Sequence, residues 1–255
     1  MKSPIRDARF RHASISYLKS IVPIGSHVDA YGLFSATTEL SLSSCGRKVN
    51  AFTTQSIISN FWKCLCEDPI HIRELLHDKA FHFGGAAEYV TLQERFMEYA
   101  QEPYYAAALF FILNRHSQTG KISTGEYSPR FFTPSAIHAL SSFKKPQLFD
   151  VDECDNFETT LKERQKPNNV SLFPCMAFSY NLFDEGKAQS YDTYRYDHNI
   201  LRENLKNQDH KLILVYRRHP GVISFYKDYN IQLVDKYGKI CYNATEYEEA
   251  IVTNF

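Results

Sequence analysis

The sequence lacks the patterns that mark metal-binding, disulfide-bonded and membrane proteins. No two of its six cysteines have C-x-x-C spacing, which argues against a zinc site and a disulfide framework. No run approaches the ~18 apolar residues that a membrane span needs, and the first residues have no signal-peptide core. We therefore expect no metal, no membrane partner and a cytoplasmic chain (intracellular, reducing). The cysteines are Cys45, Cys64, Cys66, Cys154, Cys175 and Cys241.

An excess of charge of one sign is also missing, since 29 basic residues balance 29 acidic ones. Nucleic-acid-binding proteins usually carry a basic excess or a basic stripe, so any DNA contact must come from a local patch. Tryptophan occurs once, whereas there are 17 tyrosines and 19 phenylalanines. The many tyrosines fit either a half-buried surface or a face that stacks on bases or on a partner protein.

The sequence alternates between strand-like and helix-like patterns, as is typical of an α/β protein. An apolar run at 28–34, a helical pattern at 39–44 that stops at Gly46, and a second strand at 48–52 predict a βαβ unit. Helical spacing recurs at 57–66, 70–79 and 87–114, followed by a loop at 115–133 and a short helix at 134–143. Short apolar strands at 170–173, 211–216, 231–234 and 249–253 alternate with helices at 199–205 and 223–226, which indicates a mostly parallel, buried sheet.

The stretch from Asn114 to Pro134, part of a longer segment that begins at Ala106, resembles the DNA-recognition loop of Dam-like adenine-specific DNA methyltransferases and is the most specific match. Other segments resemble the family's in the same order along the chain. Weaker matches lie at 10–18, 31–42, 49–62, 154–157, 226 and 248–254. The resemblance implies a doubly wound, mostly parallel sheet (S-adenosylmethionine-dependent methyltransferase-like) formed by residues 1–68 and 146–255. It also implies a helical DNA-recognition insert at 69–145, and methyl transfer to a flipped-out adenine.

The residues at the matching cofactor positions are unsuited to the methyl donor. The family's glycine-rich turn lets the backbone approach the cofactor, but no glycine occurs between Gly32 and Gly46. The acidic residue with which the family binds the ribose hydroxyls, at the end of the second strand, is replaced by Thr53, and the lysine of the N-terminal segment is absent from 13–15. The resemblance therefore implies a degenerate cofactor cleft at Phe34, Ser35, Ala36, Thr37 and Thr53.

The family's Asp-Pro-Pro-Tyr motif is equally altered. Its carboxylate accepts a hydrogen bond from the adenine amine, and its ring stacks on the base. Here Leu172 or Phe173 replaces the acid, and Cys175 or Met176 replaces the ring. We expect no intact catalytic residue and no cofactor, S-adenosylmethionine being the cofactor if the chain is active. The degenerate motif is Leu172, Phe173, Pro174, Cys175 and Met176.

Polar residues of the recognition-like loop are the candidate DNA contacts. Asn and Arg suit bidentate contacts to bases, while Lys and Ser suit contacts to phosphates. The alternative is a solvated loop with one buried arginine. The candidates are Asn114, Arg115, His116, Ser117, Lys121, Ser123 and Arg130.

Two further regions fall near the predicted cleft. Tyr194, Tyr196 and His198 are expected to line it, after a polar stretch at 184–187. Arg217 and Arg218 follow an apolar strand, where they form either a phosphate contact or a surface turn.

Three functions are compatible with this pattern. The first, which we favour, is a catalytically degenerate DNA adenine methyltransferase-like protein that binds DNA or a protein partner. Such a pseudoenzyme would serve as the non-catalytic subunit of an active methyltransferase or as a DNA-binding factor of a virus or mobile element. The second is an active adenine-specific DNA methyltransferase that uses substituted cleft residues. The third is a protein-interaction module without nucleic acid, using the tyrosine-rich surface.

Overall fold

A computed structural model describes residues 2–8, 12–81, 84–176, 178, 194 and 196–255. The polar stretch at 184–187 and part of the segment resembling 10–18 lie outside these residues. Within them, no helix is long and apolar enough to cross a membrane.

An eight-stranded, mostly parallel sheet forms the centre of the fold, in the order β3-β2-β1-β4-β5-β8-β6-β7. Strands β1 to β5 pair in parallel, whereas β8 runs antiparallel between β5 and β6. The strands are β1 (His27–Tyr31), β2 (Lys48–Thr53), β3 (Phe149–Glu153), β4 (Asn169–Met176), β5 (Lys211–Arg217), β6 (Asn230–Val234), β7 (Ile240–Cys241) and β8 (Glu249–Thr253).

Helices flank the sheet, and the predicted βαβ start is confirmed: α2 links β1 to its parallel neighbour β2 and stops before Gly46, whose φ is 83°. Between β2 and β3 the described residues form five α-helices, and four of them, α4 to α7, lie in the segment 69–145 that was predicted to be helical. The helices are α1 (Ile15–Ile21), α2 (Thr37–Ser43), α3 (Ser56–Glu67), α4 (Pro69–Leu75), α5 (Ala86–Glu94), α6 (Pro103–Arg115), α7 (Pro134–Ser141), α8 (Phe157–Arg164), α9 (His198–Asn204) and α10 (Pro220–Phe225).

The pattern predicted at 87–114 is interrupted. Helix α5 ends at Glu94, a short 3-10 helix covers Phe96–Tyr99, and α6 begins at Pro103. Proline starts a helix well because its missing N–H is not needed there. Phe96 and Tyr99 therefore do not continue the helical face of Tyr89 and Leu92.

The helix α6 is buried on nearly all sides, from Ala106 to Asn114. Its Phe110 stacks on Phe61 of α3, with ring centroids 4.7 Å apart, and lies 6.1 Å from the ring of Phe34. The helical insert therefore shares one hydrophobic core with the sheet. Tyrosines also fill this core, since Tyr31, Tyr89, Tyr216, Tyr226 and Tyr247 are each at most 1 % exposed.

The carboxyl ends of the five parallel strands share one edge of the sheet. β1 lies between β2 and β4, so the chain connections leave β1 and β4 in opposite directions. In open α/β sheets, ligands bind in the crevice at such a switch point. The residues after β1, β2 and β4 therefore form the first candidate site.

Candidate functional site

The floor of the crevice is the turn after β1. Gly32 has φ of 97°, and the N–H groups of Gly32 and Leu33 both donate to the carbonyl oxygen of Phe52, 2.9 Å away. A Cβ atom at Gly32 would lie 1.8 Å from the Tyr196 hydroxyl oxygen. Gly32 therefore leaves space beside the backbone, but the Tyr196 side chain fills that space, so a cofactor cannot enter it.

Two tyrosines cover this floor. The Tyr194 hydroxyl donates to the carbonyl oxygen of Leu33 and shares a second hydrogen bond with the Thr53 hydroxyl. The Tyr196 hydroxyl donates to the carbonyl oxygen of Tyr31 over 3.1 Å. Thr53, predicted to stand where a ribose would bind, thus bonds a protein hydroxyl. The expectation that Tyr194 and Tyr196 line the crevice is confirmed, whereas His198 is buried against the Tyr216 hydroxyl, 3.0 Å away.

The four residues at the predicted cofactor turn take separate roles. Phe34 is 3 % exposed, and its carbonyl oxygen accepts the indole N–H of Trp62 over 2.7 Å. The Ser35 hydroxyl lies 3.2 Å from the hydroxyl of Thr37. Ala36 has φ of 51° and precedes α2. Phe34 therefore belongs to the core, and the turn is held by local bonds.

The end of β4 is apolar and packed. Leu172 and Phe173 are each 1 % exposed, and Phe173 stacks on Tyr31 with centroids 4.5 Å apart. Burial raises the pKa of the Cys175 thiol to about 12, so it stays protonated. Pro174 and Met176 remain half-buried at the crevice. This strand end presents no carboxylate to accept a bond from a base amine.

Two cavities remain near the crevice. One, of about 20 Å³, touches Phe34, Pro174 and Met176 and has room for a single water molecule. The other, of about 250 Å³, opens beyond Thr54, Phe157 and Tyr196. Ligand sites usually enclose about 300–1,000 Å³, so the smaller cavity is far too small for a cofactor.

Residues with strained backbone and shifted pKa values line the smaller cavity. Among the residues that the structure describes, three other than glycine have positive φ, namely His12, Ala36 and Met176, and all three line this cavity. Glu39 also lines it, and burial raises the pKa of this carboxyl to about 7. Burial lowers the pKa of His12 to about 4, so its imidazole is neutral at physiological pH. Strained backbone often collects at functional sites, yet this cluster gave no signal in the sequence.

Four residues of the predicted DNA-binding loop bond to other parts of the protein. Asn114 and Ser117 are fully buried, and the Asn114 amide bonds both backbone groups of Arg6 at 2.8 Å. The Arg115 guanidinium donates to the carbonyl oxygen of Pro4, and the ring of His116 stacks on Phe132 with centroids 4.5 Å apart. Burial lowers the pKa of both Arg115 and His116, that of Arg115 to about 10.

The other three predicted residues are more accessible. Lys121 and Ser123 are half-buried, and Arg130 is exposed above the ring of Phe131, 4.5 Å from its centroid. Arg217 ends β5 and Arg218 follows it, and both are exposed, which fits either interpretation made for them.

The sequence analysis missed Arg6, which completes a basic cluster. Its guanidinium lies 3.4 Å from the centroid of the Phe131 ring and donates to the carbonyl oxygens of Ser117 and Gln118. Burial lowers the pKa of Arg6 most, and the positive charge of Arg130 lowers it further. Burial also lowers the pKa of Arg115 most, and the charge of Arg6 adds to that effect. Within the described ranges, none of these three arginines forms an ion pair with a carboxylate. The neighbouring Asp7 lines the small cavity, so the arginine cluster (Arg6, Arg115 and Arg130) lies beside the crevice.

No metal centre accompanies these features in the part of the chain that the structure describes, where no three His, Cys, Asp or Glu side chains are close enough to hold an ion. All six cysteines are free.

No protein-family model matches the chain, and no curated protein matches it significantly. The resemblance to Dam-like methyltransferases thus has no support from these comparisons.

Proposed function

We propose that the chain is a methyltransferase-like protein that no longer transfers methyl groups and that binds DNA through the arginine cluster. The loss of methyl transfer is proposed because two tyrosine side chains cover the floor of the crevice. Tyr194 and Tyr196 bond to Thr53, Leu33 and Tyr31, the groups that a donor molecule would have to reach. A donor could bind only after both tyrosines had moved and their hydrogen bonds had broken.

The sheet supports the methyltransferase-like part of the proposal. Its order begins 3-2-1-4-5, as in dinucleotide-binding sheets, but the antiparallel strand β8 is inserted after β5. A helical segment follows β2 and α3, as the resemblance implies.

The arginine cluster supports the DNA-binding part. Among the described residues, no carboxylate forms an ion pair with these three guanidinium groups. Arg130 and Arg115 repel Arg6, and the charge of Asp7 offsets only part of that repulsion, so an anion would relieve it. Arginine forms bidentate bonds with phosphate, and phosphate contacts supply most of non-specific DNA affinity. The cluster also lies beside the crevice, where a DNA-modifying ancestor would have held its substrate.

The test combines cofactor and DNA binding in the full chain. We expect calorimetry to detect no S-adenosylmethionine binding, and gel retardation to show duplex DNA binding that weakens as salt rises. Arg130→Ala should weaken DNA binding and lower the slope of log affinity against log salt by about 1. Lys121→Ala, at a second predicted phosphate contact, should act in the same direction.

Arg95→Ala is the matched control, because it removes the same charge from an exposed part of the insert, where Arg95 pairs with Glu98 over 2.7 Å. It should leave DNA binding unchanged. Donor binding with methyl transfer to any duplex would instead support the active methyltransferase. If the chain did not retain DNA even at low salt, the result would support the third function, a protein-interaction module without nucleic acid.

A further inference from the structure

The larger cavity is lined by acidic and aromatic side chains, in contrast to the basic arginine cluster. It encloses about 250 Å³ at the carboxyl ends of β2, β3 and β4, and the tyrosines over the crevice floor form one of its walls. Phe157, Tyr194 and Tyr196 provide aromatic surface, whereas Asp155, Glu158 and Asp197 provide carboxylates. The proposed function makes no use of this space.

The lining that the structure describes is acidic. Three carboxylates line it, and no lysine, arginine or histidine is among its described lining residues. None of the three forms an ion pair in the ranges that the structure describes. Asp197 uses one oxygen to cap α9, accepting the N–H groups of Asn199 and Ile200 at 2.8 and 3.2 Å. Asp155 is exposed and Glu158 is half-buried, so both can meet a ligand.

The aromatic wall also favours a positively charged ligand, mainly through half-buried Tyr196, because Phe157 and Tyr194 are only 9 and 8 % exposed. The rings of Phe157 and Tyr196 are nearly parallel, 18° apart with centroids at 5.8 Å, and the ring of Tyr194 lies 5.4 Å from that of Phe157. Aromatic faces attract ammonium and guanidinium groups within about 6 Å. Carboxylates add charge-assisted hydrogen bonds to any N–H that such a cation carries.

From this combination we propose that the cavity binds a small organic cation with N–H donors, a primary amine or a guanidine. Phosphorylated or carboxylated ligands are excluded, because three carboxylates would repel them. The ligand is a free small molecule, since the cavity has the volume of a compact molecule rather than of a chain segment. This inference does not depend on DNA binding or on the loss of methyl transfer.

Calorimetric titration of the full chain with putrescine and with agmatine tests the proposal. We expect saturable binding of at least one amine at low salt, and none of 1,4-butanediol, the uncharged counterpart of putrescine. Glu158→Gln and Asp155→Asn should each weaken amine binding on the order of tenfold, as expected for one lost charge-assisted bond at a partly exposed site.

Glu153→Gln is the control, because Glu153 ends β3 close by but does not line the cavity. It removes the same charge and should leave affinity unchanged. Equal binding of butanediol, equal effects of the control and cavity variants, or no amine binding at millimolar concentration would each overturn the proposal. Thermal unfolding of every variant shows whether a lost response reflects lost folding.

Discussion

At the scale of single residues, the small cavity concentrates features that cost stability. His12, Ala36 and Met176 have φ values of 57, 51 and 58°. Such conformations cost about 1–3 kcal/mol each in residues other than glycine. Glu39 lines the same cavity and is only 4 % exposed, and burial raises the pKa of its carboxyl although the backbone N–H groups of Glu39 and Thr38 partly oppose that shift. The core around them must offset these costs.

The raised pKa of Glu39 predicts how the stability of the fold depends on pH. Burial raises its folded pKa from 4.5 to about 7, so the folded state binds more protons than the unfolded state between these values. Stability should therefore fall as pH rises from 4.5 to 7 and then level off, by at most about 3 kcal/mol for this group. Glu39→Gln should remove this decline, and urea unfolding of both proteins at pH 5 and pH 8 measures it.

The control for that experiment is Glu246→Gln, an exposed carboxyl in the loop before β8, which should leave the pH dependence unchanged. A Glu39→Gln variant that loses the same stability as the parent between the two pH values would contradict the prediction. His12 acts with the opposite sign, because its lowered pKa makes stability fall as pH drops from 6.5 towards 4. Its contribution is the same in both proteins and cancels in the comparison.

The crevice shows what the sequence predicts at this scale and what it does not. Residue identities at Thr53 and Phe173 indicate that a ribose contact and a carboxylate are missing. They do not show that Tyr194 covers the site, because it lies 141 residues from Thr53 in the chain. The sequence does predict that Tyr194 and Tyr196 line the cleft, but only the structure shows that Gly32 leaves room for the Tyr196 hydroxyl. Arg6 was missed because its partners lie more than 100 residues away.

At the scale of elements, prediction depended on how much apolar pattern each element carries. Strand β5 is a continuous apolar run, and α3 has apolar residues at helical spacing, so both are confirmed. Strand β3, with the sequence FDVDE, was missed because an edge strand needs few apolar residues. Helix α8 was missed for a related reason: only Phe157 and Leu161 are buried, although Asn156 caps it well.

Helix α6 gives the sharpest prediction at this scale. Phe110 is fully buried between Phe61 and Phe34, so Phe110→Ala should open a cavity between the insert and α3. We expect a loss of about 3–5 kcal/mol in the free energy of unfolding, measured by urea denaturation. Val90→Ala on α5, where the side chain is 46 % exposed, should cost less than about 0.5 kcal/mol. Similar small losses for both would mean that α6 does not hold the insert to the sheet.

At the scale of the whole molecule, the zero net charge conceals two regions of opposite sign. The arginine cluster joins the N-terminal segment to the recognition-like loop, and the acidic cavity opens at the ends of β2, β3 and β4. Tyr196 lies between the two cavities, since its hydroxyl covers Gly32 while its ring lines the larger one. One segment of chain therefore both closes the crevice and shapes the remaining cavity, an arrangement that no composition average could indicate.

The shared core also determines how the molecule should unfold. The single tryptophan, Trp62, reports on the junction: its ring packs against Phe143 after α7 and Phe149 of β3, with centroids 5.9 and 6.0 Å away. Because one core contains both regions, we expect Trp62 fluorescence and far-ultraviolet circular dichroism to follow the same urea transition. Phe110→Ala should move both midpoints together. If circular dichroism showed a second transition that Trp62 did not follow, the insert would be a separately folding unit, and its packing on α3 would not couple it to the sheet.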